Sequence, residues 1–175
     1  GAKQVDSKIL RNLGVKPTEV EADVYQEGVE KAHEAAKIMD RGISQDYAYY
    51  QYRNWAQVKY ADAVYAVGDI VPVGAYGKPS GKAKKIYQNT SASEYVDGGT
   101  GFAVQMAITA GKPVYVFDQK RNKWYKWEYE MDLVGKPTSK GGFVETGTPI
   151  LTQNYAGVGT REITAEGKAA IKEVF

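Results

Sequence analysis

The sequence predicts an α/β fold with a mainly parallel sheet and an antiparallel hairpin at one edge, and three observations carry that prediction. Two dense apolar runs, "ADAVYAVGDI" from Ala61 and "KPVYVFD" from Lys112, lack the polar alternation of a half-exposed strand and suit strands covered on both faces. Between them "FAVQMAITAG" reads as a short helix stopped at Gly111, so strand, helix and strand recur at the pitch of crossover units. "WYKWEYE" from Trp124 alternates aromatic with charged residues, the period of an antiparallel edge strand.

The elements follow in order. In "KPTEVEADVYQEGVEKAHEAAKIMDRG", Thr18 at an N-cap and Glu21 three residues on make a capping box. Tyr25, Val29, Ala32, Ala36 and Met39 form an apolar stripe at helical spacing, and Gly42 is placed to end the helix in a left-handed conformation. A second helix runs from about Ser44 to Tyr60. After the first strand, the stretch from Val71 to Tyr95 is rich in Gly, Ser, Lys and Pro and reads as a functional or mobile loop. A Gly/Pro-rich stretch follows the aromatic strand. The last segment, "TPILTQNYAGVGTREITAEGKAAIKEVF", gives a strand, a second glycine turn and a helix capped by Thr164.

Composition bounds the function. The 175 residues suit a single domain, with a helical part over 1–60 and a sheet core over 61–175. A net charge of +2 makes no case for nucleic acid or an anionic membrane. The absence of cysteine excludes disulfides and thiolate metal sites and fits a reducing cytoplasm. No apolar run approaches the roughly 20 residues of a membrane span. With one histidine, His33, neither a metal site nor Ser/His catalysis has support, and no cofactor is implied. The opening Gly1-Ala2, without an initiating Met, reads as a cloning remnant.

The chemistry lies in the two glycine segments. In "VDGGTGFAVQ" (96–105), Gly98, Gly99, Thr100 and Gly101 stand between a strand and a helix, where unpaired amides and the helix dipole can hold an anion. In "YAGVGTRE" (155–162), Gly157, Gly159 and Thr160 repeat the pattern, and Arg161 adds a guanidinium able to grip a phosphate or carboxylate. The plain alternative is that the glycines only permit tight turns. No Gly-Lys-Ser/Thr follows either segment, so neither is the phosphate loop of nucleoside triphosphatases.

"ADAVYAVG", "DGGTGFAVQMAITAGKPVYVFD" and "YAGVGTRE" together resemble the SLOG superfamily, over about Arg53 to the C-terminus. That superfamily comprises Rossmann-like proteins binding nucleotides or nucleotide-derived ligands, among them the Lonely-guy phosphoribohydrolases, molybdenum-cofactor carrier proteins and DNA-processing protein A. The resemblance implies a Rossmann-like three-layer fold. "YAGVGTRE" opens the domain in many relatives and closes the chain here, which implies a permuted strand order or an end that borrows a neighbour's element. In the phosphoribohydrolases a Pro-Gly-Gly-x-Gly-Thr motif is followed by a catalytic Glu; the matching positions are Asp97 and Gln105. Gln cannot serve as a base or stabilise an oxocarbenium-like centre by charge. In nucleoside 2-deoxyribosyltransferases an Asp-x-Gly-Thr segment leads to a nucleophilic Glu; Asp97, Gly99 and Thr100 match, and the nucleophile position is Ala103.

The sequence therefore points to a small nucleotide-like ligand held by both glycine segments, with Gln105, Arg53, Asn54 and Gly68 completing the site. Arg53 and Asn54 resemble an Arg-Asn-Trp stretch that precedes the buried strand in similar proteins. The alternative is an enzyme acting on an N-glycosidic bond with a carboxylate from Asp97, Asp118 or Glu162, and a third reading is an interaction module with an empty pocket. Asp118 alternatively forms a turn. "GKAKK" (81–85) is a solvated loop or a lid over phosphate. Tyr47, Tyr49, Tyr50, Tyr52 and Trp55 stack on a base or pack on the sheet or a partner subunit. Trp124, Trp127 and Tyr129 cover a sheet edge or form a dimer contact, and a homo-oligomer is expected.

Overall fold

The computed structural model describes residues 17–72 and 94–175. Among them are helices α1 (Pro17–Met39), α2 (Ala48–Lys59), α3 (Thr100–Thr109) and α4 (Ala165–Val174). The strands are β1 (Ala63–Gly68), β2 (Ile70–Pro72), β3 (Glu94–Val96), β4 (Val114–Asp118), β5 (Lys123–Met131), β6 (Pro137–Thr146) and β7 (Tyr155–Gly159). Five strands make a mixed sheet of order β6-β5-β4-β1-β7, and β2 and β3 make a separate antiparallel pair. β1 runs parallel to both its neighbours, with Val64 opposite Val114 and Ala156. The β5–β6 hairpin adds antiparallel strands beyond β4. This is the α/β class that the apolar runs predict, and the last strand lies beside the first.

Strand alternation divides the core between the two faces of the sheet. Val64, Ala66, Val114, Val116, Tyr125 and Trp127 point to the face covered by α1, α2 and α3. Val67, Phe117 and Trp124 point to the other, where Ala170 of α4 meets them. Every residue of β1 is buried, as a strand with layers on both sides requires. Each fully buried Val there contributes about 1.5–3 kcal/mol. Trp124 and Trp127 thus enter opposite cores and Tyr129 packs against the larger one, so the three do not form the outward dimer surface the sequence allowed.

α3 is the central helix, with Thr100 through Ile108 all buried. Its tight seat comes from Gly101: a Cβ there would lie 2.0 Å from the Val96 carbonyl oxygen. Gly111, at φ +72°, ends the helix as expected. Gly28 does the same for the α1–α2 crossing, where a Cβ would lie 2.1 Å from the Tyr52 carbonyl oxygen. Ala32, Ala36 and Met39 of the predicted stripe are buried, joined by Val24, Gly28 and Ala35, whereas Val29 is half-buried and Tyr25 is exposed. The side chains of Thr18 and Glu21 and the loop over 73–93, with "GKAKK", lie outside the described residues.

Three further expectations are corrected. Asp40, not Gly42, takes the left-handed position after α1 at φ +55°, and the Arg41 amide closes back on the Ala36 carbonyl. The aromatic strand β5 is interior, because the Gly/Pro-rich stretch after it pairs along its outer side as β6. "YAGVG" is itself strand β7, whereas residues 147–154 before it are irregular. Gly157 and Gly159 therefore sit in a ladder beside Tyr65 and Val67 and are not turn residues. Their missing side chains make room for α4 and its approach, since added Cβ atoms would meet the Phe175 ring at 3.2 Å and Ile163 Cδ1 at 3.3 Å.

Lys112 joins the layers. Its ammonium donates to the carbonyls of Val58, Lys59 and Ala61 at 2.6, 2.8 and 2.7 Å, capping the negative end of α2. Burial holds its pKa below the ordinary lysine value.

Candidate functional site

The strand order switches side at β1: the chain leaves β1 for β4 on one side and later returns as β7 on the other, both parallel to it. In open α/β sheets a ligand crevice lies outside the carboxyl ends of the strands at such a switch point. Gly68, Asp118 and Gly159 end the three parallel strands at that edge. The connections beyond β4 and β7 lean back onto β1, with the Gln119 amide bonded to the Gly68 carbonyl and the Thr160 amide to the Val67 carbonyl, both at 3.0 Å.

A circuit of contacts runs round the end of β1. On one side the Asp97 amide donates to the Asp69 carbonyl at 2.9 Å. The turn then enters α3 through Gly98, which takes the left-handed φ of +74° that glycine tolerates. Asp97 Oδ1 accepts from the Gly98 amide at 2.7 Å, and the Gly98 carbonyl accepts from Arg41 Nη1 at 2.9 Å. Gly99 faces the Gln51 amide of α2, whose Nε2 would be 3.0 Å from a Cβ there. At the start of α2 the Arg161 guanidinium lies 5.5 Å from the centre of the Tyr47 ring. Gln119 completes the round, donating to the Glu162 carbonyl at 3.2 Å and accepting from the Thr164 amide at 2.7 Å.

The amide inventory of the α3 N-terminus decides what it can hold. The Gly101 and Phe102 amides bond back to the Gly98 and Gly99 carbonyls at 3.2 and 3.1 Å, and Asp97 occupies the Gly98 amide. The Gly99 and Thr100 amides have no acceptor among the described residues. Two adjacent donors at the positive end of a helix suit one anionic oxygen. Thr164 fills the equivalent role at α4, its hydroxyl accepting from the Gly167 amide at 3.0 Å, as the sequence predicts. A Cβ on Gly167 would lie 2.6 Å from Gln119 Oε1, so the crevice is packed shut on the α4 side.

Not every predicted residue reaches this edge. Gln105 is buried in the second turn of α3 and donates along the helix to the Thr109 hydroxyl at 3.4 Å. Arg53 lies roughly 200° round α2 from Gln51, and donates to the Tyr49 hydroxyl at 2.6 Å. Asn54 is one layer removed, donating to Gln51 Oε1 at 3.0 Å. Gly68 is a packing glycine, since a Cβ would meet Val96 Cγ1 at 2.9 Å. Thr160 and Arg161 do stand at the edge, in the connection after β7.

The carboxylates divide by surroundings. Asp118 is buried at the end of β4, accepts from the Lys120 amide at 3.0 Å, and pairs with Arg121 at 3.6 Å. It shapes the four-residue turn into β5, where Asn122 takes a left-handed φ of +55°. Glu162 is exposed. Asp69, at the end of β1, has its pKa raised, first by burial and then by Asp118, Asp97 and Glu162, with Lys120 opposing. Sequence reasoning passed over Asp69, Gln51, Arg41 and Gln119, which belong to no motif, and reached Tyr47 only as one of five clustered aromatics; the position of Asp69 after a buried strand is the one signal that marks any of the four. Among the described residues no group of three or more acidic, His or Cys side chains is arranged to hold a metal, and no helix is long and apolar enough to cross a membrane. No family model, curated protein or solved structure matches the chain.

Proposed function

We propose that this chain is a SLOG-like binding protein that holds a nucleotide-derived, phosphorylated ligand over the carboxyl end of β1, on the α3 side of the sheet. The observation that carries the reading is the pair of unoccupied amides on Gly99 and Thr100 at a switch point. A phosphate oxygen there would meet two N–H donors and the helix dipole, with Arg41 on the Gly98 carbonyl beside them and Arg161 on the Tyr47 ring at the start of α2. Asp69 and Asp97 would accept from ribose hydroxyls, and Gln51 offers an amide for either a base or a phosphate. Of the second glycine segment, only Thr160 and Arg161 take part.

The test is thermal unfolding against nucleotides, NAD and ADP-ribose. A true ligand at 100 times its dissociation constant adds roughly 2.7 kcal/mol. Stabilisation that Arg161→Ala weakens supports the site; a panel with no stabilisation removes the proposal.

One observation favours a second reading, cleavage of an N-glycosidic bond. Asp69, its pKa raised by burial and then by neighbouring carboxylates, could supply the acid that glycosidic chemistry uses. Release of free base from a nucleotide, lost in Asp69→Asn and Asp97→Asn, would establish it. Binding without release leaves the first reading in place.

A further inference from the structure

Two buried side chains complete the cradle at the head of α3. Thr100 and Gln51 are each only 8% exposed. The Thr100 side chain lies over the end of β1, with Cγ2 3.9 Å from where a Cβ of Gly68 would stand. Gln51 reaches across from α2. Its Oε1 accepts from Asn54 Nδ2 at 3.0 Å, which fixes the carboxamide so that Nε2 turns to Gly99. Among the described residues the Thr100 hydroxyl has no hydrogen-bond partner and Gln51 Nε2 has no acceptor. Buried polar groups left unpaired cost free energy, so these two, beside two open amides, point to an acceptor from outside the chain.

The number and charge of the donors narrow that acceptor. The Gly99 and Thr100 amides, the Thr100 hydroxyl and the Gln51 carboxamide make four donors, all of them neutral. Two donors to each oxygen match the two non-bridging oxygens of an internal phosphate, one linked on both sides. A terminal phosphate presents three such oxygens and carries about −1.5 to −2 charges at pH 7, against a single charge on an internal one. The two arginines are engaged outside the cradle: Arg41 Nη1 donates to the Gly98 carbonyl at 2.9 Å, and Arg161 lies on the Tyr47 ring. The Asp97 carboxylate stands beside it, holding the Gly98 amide at 2.7 Å. Burial raises the pKa of Asp69, and Asp118, Asp97 and Glu162 add to it against Lys120, so the crevice already resists negative charge. A second charge on the ligand would be held there by neutral dipoles alone.

We propose that the head of α3 selects an internal, singly charged phosphate, so that its ligands are nucleotides whose phosphate is linked on both sides. This rests on the reading that a phosphorylated nucleotide binds over β1. The probes are AMP, AMP methyl ester and ADP-ribose, which share adenosine and differ at the phosphate, with binding read by isothermal calorimetry at pH 7. The methyl ester should bind at least about fivefold tighter than AMP, from the charge alone. ADP-ribose should also bind more tightly than AMP, and the better of the two linked ligands tells a diphosphate bridge from a simple diester. Thr100→Val keeps the methyl over β1 and removes the hydroxyl. It should weaken binding of the methyl ester about tenfold, the loss of one hydrogen bond to a charged group. Gln51→Met removes the other side-chain donor at similar volume and should act alike, with thermal unfolding confirming that each variant is folded. AMP bound as tightly as its methyl ester, or full affinity in Thr100→Val, overturns this inference and leaves the site over β1 standing. No binding of any of the three overturns both.

Discussion

The segments "DGGTG" and "YAGVG" are both rich in glycine, yet they do different work. In the first, each glycine answers a separate demand. Gly98 takes a positive φ, Gly101 admits the Val96 carbonyl, and Gly99 brings its amide to the surface beside Gln51. In the second, Gly157 and Gly159 are ladder residues of β7 that leave space for Phe175 and Ile163. Glycine content alone does not make an anion site. What matters is whether the amides are already spent: in β7 they lie in a strand paired to β1, and at the head of α3 two remain open.

One added methyl group in each segment separates the two cases. Gly101→Ala forces a Cβ against backbone that cannot move without shifting β3, and should cost about 3 kcal/mol or more in urea unfolding. Gly157→Ala meets only the ring of the C-terminal residue, which can swing aside, and should cost less than about 1 kcal/mol. Equal costs would mean that the two segments are packed alike.

Arg161→Ala tests the one charged residue that the second segment contributes. It is exposed, so stability should stay within about 0.5 kcal/mol. Affinity for a phosphorylated ligand should fall about tenfold, or 1.4 kcal/mol. Arg53→Ala, on the far side of α2, should leave affinity unchanged. A reversal of these two results would place the ligand along α2 and not over β1.

The smallest effect is the pH dependence of Asp69. Its folded pKa is raised, so the folded state favours the protonated carboxyl, and that stability is lost as pH rises through the folded pKa. Asp69→Asn should therefore raise the melting temperature at pH 7 and raise it less at pH 4. A larger gain at pH 4 would contradict the sign of the shift.

These contrasts also show what the sequence made legible. β1 and β4 were readable because strands buried on both faces need unbroken apolar residues, and "AVYAVG" and "VYVFD" supply them. β6, "PTSKGGFVET", was not: it is an edge strand, mostly open to solvent and held by pairing with β5, so composition alone reads as a loop. β7 was misread because its glycines serve contacts with Ile163 and Phe175 that exist only once α4 has docked. At the site, Gly98 to Thr100 were legible because a strand–turn–helix junction is local. Arg41 and Gln51 arrive there through the packing of α1 and α2, and no nearby residue announces them; Tyr47 stood out only as one of a run of aromatics. Gln105 stood out only through a family motif, and the packing of α3 turned it into the core.

On the proposed reading, ligand binds over β1 at the head of α3. Mapping backbone amide shifts during titration with ADP-ribose tests it most directly. The expected perturbations centre on Asp69, Gly98 to Gly101, Gln51 and Arg161, with Gly157 and the body of α4 unmoved. Saturable shifts confined to α4 or to β7, or none at all across the nucleotide panel, would contradict it.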